Sequence, residues 1–517
     1  MTAGNRWLRV AGTIAALALF GLPLAALGID AMRALAADHS LVRLAIPSGR
    51  TLTLLVRSCV LAGTTALVCL VAGTAASFAL PSSHRTGWLK LALFVPMVIP
   101  PYIHALAWMR SAEWLRRVAA TVDVRLPAFQ GFGAVVWVQA MVYLPLATGV
   151  ALAAWSMIEP QLADAALMRG SRDRTLWRVM VPLASPVLLS GAVLVFVLCV
   201  GDLAIPSLLS VNTYALELYA RFSSTGRTSD VTLLAVPIVL LCLTALAPAI
   251  RSISAAVSAP ATREGVMRSA WHPSTWMQLL CTCAVVLLAV DSAGLTVSLM
   301  NGLRGATWVA VADALPSVWV SGRVAIFACA FSTILAVLLG PLINNTSPLG
   351  RSLCVLILIP LALPGPLAGT GAVLAASALR TVGLAQAVPS LLMAFRFAPF
   401  ACLMTGARLA RVDTEAIDAG RVFERRRGDW ALRVWLPMLL PVLVAALLLV
   451  AVLVVGEVGG SLMVMPPGQQ PLSITIYNYL HYGASGSVSA LCLVLFAAVF
   501  LLCVPGYLSW RKAWRFG

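Results

Sequence analysis

Uninterrupted apolar runs of about twenty residues or more recur along this chain, and no other feature restricts its fold as much. They lie near 10–29, 52–80, 88–109, 133–156, 183–210 and 231–250, then near 276–297, 316–343, 350–376, 384–407, 438–464 and 485–508. A helix needs about 20 residues to cross the hydrocarbon of a bilayer, so each run is long enough to span. Hydrophobic residues fill 61% of the 517 positions and charged residues only 11%, whereas soluble domains are about 25% charged. The runs are continuous rather than alternating, which selects helices over a β-barrel. The expected fold is therefore all-α, a polytopic membrane protein with about twelve transmembrane helices in two sets of six.

The formal net charge of +17 would suggest a nucleic-acid partner in a soluble protein, but in a membrane protein the basic residues must first be sorted by side. With the N-terminus inside, cytoplasmic segments hold 22 Lys/Arg and external ones 11, leaving Arg57, Arg323 and Arg396 within spans. That bias supports cytoplasmic N- and C-termini, and no basic stripe interleaves with aromatics as nucleic-acid binding would require. The basic external segment 110–132 reads as an interfacial helix. All eleven cysteines fall in or beside apolar runs without CxxC spacing, so they read as small core residues rather than a disulfide frame or zinc site. The first apolar run has a signal-peptide look, with "ALA" at 34–36, but it is long enough to span and is expected to remain as the first helix.

The chain also repeats itself. Pro182, Pro186, Gly201 and Asp202 fall on Pro437, Pro441, Gly456 and Glu457 at one offset of 255. Upstream, Pro145, Glu159 and Asp164 match Pro399, Asp413 and Asp418 at 254, and Pro96 and Pro100 match Pro360 and Pro364 at 264. Drift of this kind is what loop insertions produce. Both sets have six spans running in the same sense, which defines a parallel repeat about an axis along the membrane normal. The expected domains are 1–250 and 276–517, joined by a Ser-, Ala- and Pro-rich cytoplasmic linker at 251–275.

Between the fourth and fifth spans of each set lies a polar, arginine-bearing segment, 158–182 and 412–437. Asp164 to Met168 suits a short helix with an acid toward its N-terminus, Gly170 allows a sharp turn, and "TLWRVMV" is apolar enough to lie against a neighbour. A solvated topology anchor would explain one such segment; its return in the second set favours a docking surface. "DAALMRG" with Pro182 twelve residues after the glycine resembles the EAA loop of permease subunits of bacterial ATP-binding-cassette importers. The duplicated layout, over roughly 40–510, is similar to the fused permeases of the ferric-iron and thiamine branch, as are "GDLAIPSLLSVNTYALELYARFS" at 201–223 and "GEVGGSLMVMPPGQQPLSITIYNYLHYGAS" at 456–485.

The resemblance implies that Asp164, Ala165, Ala166 and Gly170 belong to a coupling helix that docks on an ATPase subunit. In the second segment Asp418, Ala419 and Gly420 stand for Glu-Ala-Ala, and Glu424 replaces the glycine. It further implies two copies of that ATPase, a periplasmic or lipid-anchored substrate-binding protein, a bacterial inner-membrane location and alternating access. Ferric iron is the first expected cargo, with thiamine, phosphonate or polyamine next. The only lysines, Lys90 and Lys512, are followed by Leu and Ala, so neither belongs to a GxxxxGK[ST] phosphate loop. No cofactor, metal or catalytic residue is expected in this chain, and ATP is expected to bind the partner.

Asp202 and Glu457 sit some 30 Å along their helices, counting about 1.5 Å per residue. They are candidate pathway or gate residues, although capping of the following local helices is the simpler expectation. His104, Tyr477, Tyr479 and His481 lack convergent carboxylates and make a poor iron site. The rival class is an ion-coupled carrier, which needs ionisable relays deep in the membrane; the acids instead read as clustered at span ends. A cysteine placed at position 170 in a cysteine-free background should react with a membrane-impermeant maleimide in inside-out vesicles only. Labelling in intact spheroplasts would overturn the cytoplasmic assignment.

Overall fold

The computed structural model describes residues 3–79, 99–258, 272–302, 308–343, 347–381, 385–410, 435–466, 468–481, 487–495, 497–498 and 501. Among them there is helix and connecting chain but no strand, as expected where hydrocarbon offers the backbone no hydrogen-bond partner. The principal helices are α1 (Ala3–Ala16), α2 (Leu22–Ala37), α3 (Gly49–Ala79), α4 (Pro101–Ala120), α5 (Phe132–Ser156), α6 (Pro160–Leu167), α7 (Val181–Gly201), α8 (Ala204–Leu208), α9 (Tyr214–Thr225) and α10 (Thr228–Ser258). They continue with α11 (Thr275–Gly302), α12 (Leu315–Ile343), α13 (Pro348–Ala362), α14 (Gly365–Thr381), α15 (Val388–Ala410), α16 (Leu436–Gly456), α17 (Ser461–Val464) and α18 (Leu472–His481).

Among the described residues nine helices are long and apolar enough to cross a membrane, or ten if α13 and α14 form one broken span. The chain is thus a multi-pass membrane protein by the length and composition of its helices. The expected span 350–376 is bent by 113° between α13 and α14, at Leu363–Pro364, where proline cannot donate to the helical ladder. The expected span 88–109 lies outside the described residues up to 98; past Pro100 it enters α4, which runs on to Ala120. Segment 110–132 is therefore half helix, its Glu113 paired with Arg116 and Arg117. The runs 183–210 and 438–464 stop as regular helix at Gly201 and Gly456. Half of 485–508 and linker residues 259–271 lie outside the described residues.

Two packing groups carry the bundle: α3 against α5 and α7, and α12 against α15 and α16. The helices that open the two parts of the chain cross over. α1 packs on α12 and α2 on α14, whereas α11, after the linker, packs on α3 and α4. Phe20, in the π-helical turn Leu17–Gly21 between α1 and α2, meets the ring of Phe395 on α15 at 6.1 Å. The ten described cysteines form no disulfide.

Local geometry recurs between the two parts of the chain. α7 and α16 each have 21 residues and an internal proline, Pro186 and Pro441. Their C-caps match, Asp202 at φ −78° and ψ 127° and Glu457 at φ −77° and ψ 124°. Ser58 accepts a hydrogen bond from the Tyr214 N–H at 2.8 Å, and Ser321 does so from the Leu472 N–H at 2.8 Å, each tying a long helix to the start of a short one.

Small residues let the helix backbones approach, as is usual in membranes. A Cβ at Gly73 on α3 would lie 2.7 Å from the Ala147 Cβ and 2.9 Å from backbone atoms of α5. Gly73→Ala should accordingly lower stability by about 1–3 kcal/mol through overpacking. Gly63→Ala, which faces open space, should be neutral; thermal unfolding in detergent checks both.

Candidate functional site

The polar segment after α5 is built on a buried tryptophan. Trp155 donates to Ser77 Oγ at 2.9 Å and stacks on Phe78 at 4.8 Å, so the ends of α3 and α5 lie side by side. Ile158, Ala163, Leu176 and Met180 extend this core, together with Met277 and Cys281 of α11. Helix α6 starts at Pro160 with Glu159 as its N-cap, so the helix begins four residues earlier than the sequence reading placed it and Asp164 lies mid-helix. The chain turns at 168–170. Gly170 closes that turn without a positive φ, and a Cβ there would meet only the Arg174 side chain, at 3.0 Å. Ser171 accepts from the Arg174 N–H at 3.3 Å to cap Arg172–Thr175, and the π-helical Leu176–Met180 runs straight into α7. Trp276, at the start of α11, donates to Asp173 at 3.2 Å.

Ala163 points inward, leaving Leu162, Ala165 and Met168, three residues apart, on the exposed face of this segment. Leu162 is 48% exposed and Met168 88%, an apolar stripe beside exposed Arg169; Asp164, Ala166 and Gly170 are half-buried. In the second polar segment Asp418, Ala419, Gly420 and Glu424 lie outside the described residues.

Some 30 Å away, at about 1.5 Å per residue along α7, the helix ends meet the proline breaks. A Cβ on Gly201 would lie 3.6 Å from Pro364 Cα, and one on Gly456 3.2 Å from the Pro100 ring. Each helix end thus abuts a break contributed by the other part of the chain. Asp202 accepts from the Ala204 N–H at 2.9 Å and from the amide of fully buried Gln139 at 3.1 Å. Glu457 accepts from the Gly460 N–H at 2.8 Å and forms an ion pair with Arg396 of α15. Gly365 and Gly460 make room for that guanidinium, since a Cβ on Gly365 would lie 2.7 Å from Arg396 Nη1. The guanidinium also stands 5.6 Å from the Phe397 ring centre, within cation–π range. Tyr143 of α5 lies within electrostatic reach of both carboxylates. With both acids ionised, this junction carries two negative charges and one positive.

A second polar cluster was not foreseen. His104 Nδ1 lies 3.3 Å from Asp291 Oδ2 with both side chains essentially inaccessible, and Trp108, one turn from His104, donates to Asp291 Oδ1 at 2.9 Å. Asp291 sits about 24 Å into α11 by helical rise, so the reading that acids cluster at span ends fails there. The residues that made a poor iron site in the sequence do not converge. His104 faces Asp291, Tyr477 hydrogen-bonds Ser207 at 2.9 Å, the His481 side chain lies outside the described residues, and no group of three or more His, Cys, Asp or Glu able to hold a metal occurs among the described residues.

No family model and no curated protein matches this chain. Removing one partner of a buried ion pair leaves the other uncompensated, at a cost of about 3–5 kcal/mol. Glu457 and Arg396 side chains are 13% and 16% exposed, so Arg396→Gln should destabilise by an amount near the lower bound. Arg396→Gln with Glu457→Gln should recover most of the loss, as read by thermal unfolding in detergent.

Proposed function

We propose that this chain is the membrane-spanning permease subunit of a bacterial ATP-binding-cassette importer, not itself an enzyme. Residues 1–250 and 276–517 form two parallel six-helix halves, joined through 251–275, with both termini in the cytoplasm of an inner-membrane protein. The observation that carries this reading is the exposed apolar stripe of α6 on a segment continuous with α7. It is a surface suited to a partner, connected by one helix to the junction at Asp202. The matching caps and prolines of α7 and α16, and the crossed packing of α1–α2 and α11, support the two-half arrangement.

In this mechanism two copies of a separate ATPase dock on 158–182 and 412–437, and closure of the ATPase pair on ATP displaces both segments. Helices α7 and α16 carry that displacement to Gly201 and Gly456, which part from Pro364 and Pro100 and open the junction toward a docked substrate-binding protein. Hydrolysis resets the halves. Asp202 and Glu457 line the opening pathway. Because Arg396 offsets only one of the two acids, the pathway favours a cationic cargo, with ferric iron first and thiamine or a polyamine next; an anionic phosphonate fits this charge least.

A second reading, an ion-coupled carrier, is favoured by one observation, the buried His104–Asp291 pair, since deep ionisable pairs mark proton relays in such proteins. Transport by the purified chain in liposomes without ATP would select it. For the importer reading, Leu162→Asp with Met168→Asp should leave the amount of membrane-inserted chain unchanged and cut co-purifying ATPase and ATP-driven uptake at least tenfold. Uptake equal to that of the unaltered protein would overturn the docking role.

A further inference from the structure

A groove of about 270 Å³ runs between the first membrane helix and the surface formed by α12, α14 and α15. Ala18 and Leu19 line it on one side, Phe331 and Leu335 of α12, Ala375 of α14 and Leu391 of α15 on the other, and every side chain around it is apolar. Its origin is local. The π-helical turn Leu17–Gly21 and Pro23 interrupt the regular ladder of the first span, and alanines face the gap from both sides.

The groove starts six residues beyond Arg9, the first residue of the span Arg9–Ala37, so it lies about 9–20 Å in from that end by helical rise. Its rim is the outward surface of the bundle, where Leu17 is 54% and Ile334 56% exposed. At that depth the surrounding medium is hydrocarbon, and an apolar gap attracts no water.

The charge at one end selects the kind of lipid. A Cβ on Gly12 would lie 3.0 Å from Leu342 and 3.2 Å from the Leu338 carbonyl, so the start of α1 lies at the C-terminal end of α12. The start of α13 follows within five residues of that end and brings exposed Arg351 there, with Arg9 one turn before Gly12. Neither α1 nor α13 contains an acid. The opposite end of the first span mixes Arg33 with Asp30 and Asp38. Basic pockets between membrane helices hold anionic headgroups.

We propose that this groove is a binding site for one acyl chain of an anionic phospholipid whose headgroup rests on Arg9 and Arg351. The lipid fills the gap left by the π-helical turn and joins the first helix to the part of the chain it crosses over to. The site is independent of the cargo and of the ATPase.

Native mass spectrometry of the full-length chain, delipidated in detergent and titrated with phosphatidylglycerol or phosphatidylcholine of identical chains, tests it. The unaltered protein should retain one phosphatidylglycerol at least fivefold better than phosphatidylcholine. Ala18→Trp, at an exposed position that fills the groove, should lower retention of both lipids at least fivefold. Arg9→Gln with Arg351→Gln should bring the two lipids toward parity, and it provides an independent arm should A18W protein not fold. Equal retention of both lipids by the unaltered protein, undiminished retention by folded A18W protein, or an unchanged preference in the arginine variant overturns the proposal.

Discussion

Hydrocarbon supplies no hydrogen-bond partner, so every backbone N–H and C=O at membrane depth must find one inside the protein. Regular helix meets that demand residue by residue, and the places where this chain abandons regular helix are therefore the places that need side chains. They coincide. The helix ends at Gly201 and Gly456 and the proline breaks at Pro100 and Pro364 touch one another, and the carboxylates beside them accept N–H groups that no helical ladder would satisfy. Leaving a buried donor unmet costs about 1–3 kcal/mol. Asp202 and Glu457 thus hold open backbone in place at the point where the two parts of the chain meet.

The same frame is filled differently on its two sides. Asp202 receives a neutral amide from Gln139, whereas Glu457 receives the guanidinium of Arg396. The crossed helices differ as well. α2 meets α14 through Leu27 against Gly371, an apolar contact, while α11 meets α4 through Asp291, His104 and Trp108. A single chain permits this, because the residues on each side of the junction are encoded separately. The consequence is a junction that keeps the geometry of a pair without the charge symmetry of one.

Much of this was legible from residue order. The spans follow from length and continuity of apolar runs, and the constant offset of 255 anticipates the equal lengths and matching caps of α7 and α16. What was not legible depends on partners distant in sequence. Arg396 read as one arginine among three in spans because nothing local marks Glu457, 61 residues on, as its partner. Asp291 and His104 are 187 residues apart by their numbers, and the one local signal of the pair is an acid inside an otherwise apolar run. The turn at Gly170 was legible, but its backbone was not: the positive-φ glycines are elsewhere, among them Gly131 and Gly226.

The route from α6 to the junction also constrains how displacement travels. Arg172–Gly201 is one continuous helical stretch, so a shift at its start reaches Asp202 as rigid motion unless the helix bends. Two features sit where bending would occur, the π-helical turn Leu176–Met180 and Pro186, and such features mark the kinks of helices. Beyond them, the α7–α5 contact at Gly191 is tight, with a Cβ there falling 2.6 Å from Val150. Bending is therefore confined to the first turns, and the upper part of α7 moves with α5, which holds Gln139 against Asp202. A displacement at α6 would then alter the angle of the helix pair as a whole while leaving the acid and its amide partner together, so that the contact strained is the one across the junction, Gly201 against Pro364.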